Sequence, residues 1–354
     1  MPGPLSGIRI VDLTAVAMGP YATQILGDMG ADVIKVESHD GDIFRDAPPA
    51  RKRGMGAAFL NLNRNKRSIV LDLKVATEHQ ILLDLLASAD VFVSSVRPQS
   101  MRKLGLDYAT LRTLNPRLIY CGAYGFSEAG PYAGRPAFDD IIQAMSGVAA
   151  LQGWNSRDGP RYLNTIAADK ISGLAATYAI AMALFERERS GQGQAIEVPM
   201  FETMVAFTLV EHLAGETFCP AEGPMGYGRV LARARKPFAT QDGYLALLPY
   251  TTGQWQRFFE IAGRPDLTHD PRVTDAALRI AHADELYAIL AGLVSQRTTA
   301  NWLLLLETAD IPHARVNTPQ DLLEDPHLRA IGFFDLRAHP SEGEIRGIGI
   351  PIHF

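Results

Sequence analysis

Residues 8–37 read IRIVDLTAVAMGPYATQILGDMGADVIKVE, and the order of patterns in this stretch decides the fold. IRIVDL (8–13) is a short apolar run rich in β-branched residues, as expected of a strand buried on both faces. A short loop follows, then Gly19-Pro20. Proline suits the first turn of a helix, where its missing N–H costs nothing, and Gly30 marks where that helix ends. A second apolar run, ADVIKVE (31–37), begins at once.

Outward from this stretch the alternation continues. SIVLDL (68–73), DVFVSS (90–95), RLIYCGAYG (117–125) and AIEVPM (195–200) read as strands, and a helix is expected from about Glu78 to Ala87. Apolar strands separated by helices imply an α/β domain with a parallel sheet covered on both faces. After residue 200 the pattern changes. Residues 200–216 read as helix, AEGPMGYGRV (221–230) as a glycine-bearing loop, and a smaller segment starts at Lys236. That segment has a strand, GYLALL, a helix, QWQRFFEIAG, and two more helices around 284–308, with a soft boundary near Pro319. The stretch from about Phe333 reads as irregular strand returning to the first domain.

Composition narrows the function classes. The chain has 354 residues, 47% hydrophobic and 21% charged, with a net charge of -5, which argues against a dedicated nucleic-acid binder. Cys121 and Cys219 are far apart and lack a CxxC partner, so neither a disulfide framework nor a zinc site is expected. The nine histidines form no HxxxH or HExxH pattern, and no GxSxG elbow is present, so metal and serine-hydrolase chemistry are unsupported. The apolar run from Gly173 to Phe185 is shorter than the ~20 residues of a membrane span. The opening MPGPLSGIRIVDLT has neither a basic n-region nor a long apolar region, and a cytoplasmic enzyme is the expectation.

Three features invite a functional reading. The loop TAVAMGP after the first strand has one glycine where a dinucleotide fingerprint has three, and GQGQ (191–194) precedes a strand rather than a helix. NAD binding is not expected. Between Pro48 and Leu71 stand Arg51, Lys52, Arg53, Arg64, Lys66 and Arg67 with no acidic residue, followed by Lys74, Arg97, Arg102 and Lys103. Such a run is usually a solvated face, but it also suits a small polyanion with phosphate groups, such as CoA. Finally, Asp169 stands at the start of an Ala-rich apolar helix that should be buried. Aspartate there most often serves as an N-cap. The functional alternative is a carboxylate kept ionised by the helix N-terminus and partly desolvated, able to attack a thioester.

The ordered set VDLTAVAMGPYATQILGDMGADVIKVE, LNRNKRSIVLDLK, VRPQSMRKLGLDY, NPRLIYCGAYGFSEAGPY, AFDDIIQAMSG, RSGQGQAIEVPMFE and IPHARVNTPQDLLEDPHL spans nearly the whole chain. It resembles the class III CoA transferases, the family of formyl-CoA transferase and carnitine CoA transferase that also includes the α-methylacyl-CoA racemases. The resemblance implies a Rossmann-like large CoA-binding domain made of 1–200 and about 325–354, a small inserted α+β domain over about 220–320, and a linking helix at 200–220. It also implies an interlocked homodimer; relatives continue through a further segment beyond the point matching PIHF, which leaves a natural short form and a truncation both open. Asp169 matches the catalytic aspartate. The family's CoA contacts fall on Val16, Ala17, Leu71, Asp72, Leu73, Lys74, Ser95, Val96, Arg97, Lys103, Ala137, Phe138 and Asp139. CoA or acyl-CoA is then substrate, with no tightly bound cofactor or metal, no nucleic acid and no membrane partner.

Departures from the family pattern matter as much. Ser38 stands where many members have an arginine for the nucleotide end of CoA, leaving His39 and Arg45 as nearby substitutes. Ala17 replaces the glutamine of formyl-CoA transferase, and GPMGYG (223–228) only weakly matches its tetraglycine loop, so oxalate and formate specificity is not implied. The resemblance leads to an expected relay in which acyl-CoA, without ATP, passes its CoA to a carboxylate through aspartyl anhydride and aspartyl-CoA thioester stages on Asp169. An orienting role for Asp139 or Asp140 is disfavoured, because a second carboxylate opposes ionisation of the first. Succinyl-CoA or another short-chain or dicarboxylic acyl-CoA is the expected donor. The rival readings are an α-methylacyl-CoA racemase, which places a histidine where Phe138 stands, and a CoA-binding protein without catalysis.

Overall fold

The computed structural model describes residues 3–354, which divide into two compact units. The first runs to Gly153 and takes in Asp158–Thr208 and Gly332–Phe354; the second comprises Trp154–Arg157 and Leu209–Ile331.

The first unit begins with β1 (Arg9–Leu13), α1 (Met18–Asp28), β2 (Asp32–Glu37), α2 (Ala57–Leu62), β3 (Lys66–Val70), α3 (Ala76–Ala87) and β4 (Val91–Ser94). It continues through α4 (Pro98–Lys103), α5 (Tyr108–Leu114), β5 (Ile119–Tyr124), α6 (Asp139–Met145), α7 (Val148–Gln152), α8 (Ala167–Ser190) and β6 (Ala195–Pro199). The six strands form one all-parallel sheet in the order β3-β2-β1-β4-β5-β6. This is the doubly wound arrangement, in which the strand order reverses between β1 and β4.

Alternation along each strand builds two cores. Ile10, Val33, Val91, Val93, Ile119 and Cys121 pack with α1 and α8 on one face. Their neighbours Val11, Val36, Phe92 and Tyr120 pack on the other with Leu82 and Leu86 of α3. Glycine permits the closest approaches at the carboxyl end. A Cβ on Gly173 of α8 would lie 2.8 Å from the Met18 carbonyl oxygen, and one on Gly19 would lie 2.4 Å from Thr14. Only glycine lets α8 sit against the start of α1, and the start of α1 against the end of β1.

Three expectations need correcting. β3 starts two residues earlier than SIVLDL and stops at Val70, because Leu71–Lys74 leave the sheet edge to line a cavity. Helix α8 is not buried all round: Leu174, Tyr178, Met182 and Phe185 are between 48% and 66% exposed, and their spacing forms a stripe opposite the sheet. The C-terminal stretch is a regular antiparallel hairpin, β10 (Phe334–His339) with β11 (Gly343–Ile348), forming its own two-stranded sheet.

Helix α9 (Met200–His212) carries the chain across the division, which falls between Thr208 and Leu209. The second unit contains α10 (Gly228–Leu231), β7 (Phe238–Ala239), β8 (Tyr244–Leu247), α11 (Thr252–Ile261), α12 (Pro271–Thr274), α13 (Ala276–Ala281), α14 (Ala283–Val294), α15 (Thr299–Thr308), β9 (His313–Arg315) and α16 (Pro326–Ala330). Its antiparallel sheet, ordered β7-β8-β9, packs against an aromatic core of Trp255, Phe258, Phe259 and Trp302. The Thr251–Gln254 capping box starts α11 by satisfying its free N–H groups. Among the described residues, no helix is long and apolar enough to cross a membrane.

Candidate active site

A reversal of strand order leaves a crevice, because the loops leaving the two central strands turn to opposite faces of the sheet. Here those loops follow β1 and β4, and two cavities open at their carboxyl ends. One of about 250 Å³ and one of about 480 Å³ share Ala15 and Ser95 in their walls, one residue from each loop. The smaller is lined by Val16, Arg97, Ala137, Phe138 and Asp169, and the larger by Leu71, Asp72, Leu73, Lys74 and Val96. Residues far apart in sequence are thus brought around one crevice at the switch point.

Asp169 is the third residue of α8 and only 7% exposed. It is not the N-cap. Ile166 holds that position without a side-chain bond, and the Asp169 N–H donates to Asp139 Oδ1 at 3.1 Å. Asp139, on α6, therefore satisfies a free donor of α8 that no local side chain reaches. The sequence disfavours an orienting role for Asp139 beside Asp169, yet its carboxylate accepts this backbone bond. The Met18 N–H at the start of α1, in the same cavity wall, favours the ionised Asp169 carboxylate.

The electrostatics also differ from expectation. The helix N-terminus was expected to favour the ionised form, but burial, with the Asp139 charge second, pushes Asp169 up to about 6 against the Met18 N–H. The result is a carboxylate still mostly ionised at neutral pH, yet more basic than an exposed one. Greater basicity makes it a stronger nucleophile. Cys121, the other buried nucleophile type, is pushed up to about 12 by burial and remains a thiol inside β5.

Not every expected contact reaches the crevice. Ala17 is wholly buried and Asp139 nearly so, and neither lines either of these two cavities. Lys103 is exposed in the last turn of α4 and lines neither. The basic run between Pro48 and Leu71 is largely spent on the fold itself. Arg51 and Lys52 donate to carbonyls of the C-terminal hairpin segment, Arg64 pairs with Asp28 at 2.6 Å, Arg67 with Asp32 at 2.7 Å, and Lys66 with buried Asp12 at 3.1 Å. The reading of that run as an anion-binding surface is corrected accordingly. Of the two substitutes near Ser38, Arg45 is held by Glu37 at 2.6 Å, while His39 borders the larger cavity.

The smaller cavity has walls that sequence reasoning left unassigned: Met18, Tyr124, Glu128 and Arg135. Tyr124 ends β5, Glu128 and Arg135 lie in the loop after it, and the same carboxyl-end rule that points to the β1 and β4 loops points there. Phe138 is exposed in this cavity, and a phenyl ring offers no proton for racemase chemistry.

The chain matches the family model described as CoA-transferase family III over residues 5–354. It is 34% identical to succinate–glutarate CoA-transferase of Agrobacterium fabrum, over 99% of this chain and 89% of that protein. It is likewise 34% identical to succinyl-CoA:mesaconate CoA-transferase of Haloarcula hispanica, over 92% of this chain and 83% of that one. A CAIB/BAIF family protein from Brucella suis, solved by crystallography, superposes with a TM-score of 0.83 at 32% identity, covering 100% of this chain and 93% of that chain.

The raised Asp169 predicts a stability cost at neutral pH. Its folded value of about 6 exceeds the ordinary 3.8, so the folded state binds this proton more tightly and loses stability as pH rises from about 4 to about 6. Asp169→Asn, neutral throughout, should melt higher than the wild type at pH 7, by a margin on the order of 2–3 kcal/mol. The gap should shrink at pH 4. Thermal melts at both values check this.

Proposed function

Because the chain belongs to CoA-transferase family III and is an enzyme of that class, we propose that it exchanges CoA between dicarboxylic acids with Asp169 as the covalent carrier. The observation that carries this reading is a buried, basic carboxylate in the wall of the switch-point crevice. CoA lies along the crevice, its nucleotide end toward Leu71–Lys74 and its thioester toward Asp169.

The chemistry balances without ATP or metal. An Asp169 oxygen attacks the thioester carbonyl of the donor, the C–S bond breaks, and CoA thiolate leaves an aspartyl–acyl anhydride. The thiolate attacks the aspartyl carbonyl, the anhydride C–O bond breaks, and the donor acid departs from an aspartyl-CoA thioester. An acceptor carboxylate then attacks that thioester and expels the thiolate. The thiolate finally takes the new acyl group and frees Asp169. No proton is consumed, and tetrahedral oxyanions at each stage call for nearby N–H donors.

The two transferase relatives carry dicarboxylates in their names, and the Asp169 cavity supports the same class here. Arg135 lines it with its guanidinium stacked 4.3 Å from the Tyr132 ring, and forms no ion pair among the described residues. A guanidinium so placed suits the distal carboxylate of a dicarboxylic acid through paired N–H donors. The exposed stripe on α8, Leu174, Tyr178, Met182 and Phe185, supports the homodimer expected of the family, since a contiguous apolar patch of this kind marks an interface.

Three outcomes follow. Asp169→Asn should lose succinyl-CoA:glutarate exchange, followed by mass spectrometry, while wild-type kcat falls as pH drops through about 6. Retained turnover in the variant removes Asp169 from the mechanism. Arg135→Leu should raise KM for glutarate by about tenfold or more and leave butyrate, a monocarboxylate of similar length, little affected; equal effects on both acids defeat the dicarboxylate role. Sedimentation should show a dimer, and Met182→Glu with Phe185→Glu should weaken it. A wild-type monomer contradicts the assembly.

A further inference from the structure

Val16 has a backbone φ of 69°, in the left-handed region. For a β-branched residue this is a strained conformation that persists only where the surroundings enforce it. Here the enforcement is traceable bond by bond. The Val16 N–H donates to Asp42 Oδ1 at 3.1 Å. The other Asp42 oxygen meets Lys35 Nζ at 2.9 Å, and both side chains are 1% exposed. Lys35 Nζ also donates to the Thr14 carbonyl at 2.7 Å, so the same cation grips the loop two residues before Val16. Asp42 is fixed in turn, because its N–H donates to Glu37 Oε2 at 3.1 Å and Glu37 is held by Arg45 through two bonds of 2.7 and 2.6 Å.

None of these side chains bonds to Asp169. Two residues beyond Val16, however, Met18 lines the same cavity wall as Asp169, and its N–H favours the ionised Asp169 carboxylate. The conformation at Val16 sets the direction in which the chain enters α1, and with it where that N–H points. We propose that the buried Lys35–Asp42 pair is a positioning pair for the transfer reaction, holding Val16 left-handed so that the Met18 N–H meets the Asp169 carboxylate. The inference rests on the reading of Asp169 as the reacting group.

Glycine makes the proposal testable, because it adopts a positive φ without strain and needs no enforcement. The full-length enzyme is compared as wild type, Asp42→Ala and Asp42→Asn, with each Asp42 variant also combined with Val16→Gly. Asp42→Ala should lower kcat by about 10- to 100-fold, with a smaller change in KM for acyl-CoA, as expected when reacting groups are misplaced by a fraction of an ångström or more. Asp42→Asn keeps an oxygen for the Val16 N–H and should lose less. The acid limb of the kcat profile should also move upward in Asp42→Ala. Asp139 from α6 continues to oppose ionisation of Asp169, while the Met18 N–H from α1 no longer favours it. Adding Val16→Gly should return most of the lost kcat and restore the acid limb.

A folded Asp42→Ala enzyme with wild-type kcat and acid limb overturns the proposal, as does a double variant no better than the single one. A rise in KM at unchanged kcat also overturns it, and assigns Asp42 to CoA binding at the larger cavity it borders. If Asp42→Ala yields no folded protein, the same comparison reads the amount and melting temperature of folded enzyme. Recovery by Val16→Gly supports the pair, and no recovery refutes it. Asp169→Asn assayed alongside separates the two failures: activity there removes the Asp169 reading, whereas an inactive Asp169→Asn beside an unaffected Asp42→Ala removes the positioning pair alone.

Discussion

Two buried ion pairs, Asp12 with Lys66 and Lys35 with Asp42, meet at the carboxyl end of β1 and fasten the loop that opens the crevice. Asp12 accepts from the Thr14 N–H at 3.0 Å and the Thr23 hydroxyl at 2.6 Å, tying the end of β1 to α1. Burial alone would raise Asp12, but Lys66, Lys35 and the two hydroxyls outweigh it and hold the carboxyl at about 2. Removing one member of such a pair typically costs about 3–5 kcal/mol, because a charge is left unpaired in the interior. The loop therefore has little freedom to relax, and strain at Val16 can persist beside the cavities it lines.

The same burial has the opposite consequence at Asp169. Its neighbours are a second carboxylate and one backbone N–H, and no cation among the described residues compensates, so its proton affinity rises to about 6. Two buried carboxylates, one on β1 and one on α8, thus end on opposite sides of the ordinary range, set by whether a lysine reaches them. The paired one is structural. The uncompensated one faces a cavity and is basic enough to attack an acyl carbon, which is the division of labour that environments impose on catalytic carboxylates. Gly173 and Gly19 permit it, since any side chain there would part α8 from α1 or α1 from β1.

Much of this fold was legible in the sequence because the strands are short, β-branched and buried on both faces, so IRIVDL, ADVIKVE and DVFVSS stand out without any partner. β3 was less so. It is an edge strand with a largely exposed pattern, and its apolar residues 71 and 73 belong to the crevice instead. The start of α8 was legible, as a polar residue ahead of an Ala-rich run, but not the state of its carboxyl. That depends on Asp139 and Met18, which are distant in sequence. Charge runs were the least legible. Arg51 and Lys52 find carbonyls near residue 342, and Arg64 finds Asp28, and only tertiary structure reveals that these cations are already occupied. The β5 loop with Arg135 carried its signal in topology rather than in composition.

The central claim is that the Asp169 carboxylate itself becomes part of each intermediate, and oxygen labelling tests it most directly. Turnover with an acceptor acid carrying oxygen-18 in both carboxylate positions passes one labelled oxygen through the anhydride. When the thiolate takes the acyl group, that oxygen remains on the aspartate. Mass spectrometry of the peptide containing Asp169 should then show one oxygen-18 in that side chain after a single turnover, two after many, and none when CoA donor is omitted. Full exchange of CoA between acids with an unlabelled Asp169 would contradict the account.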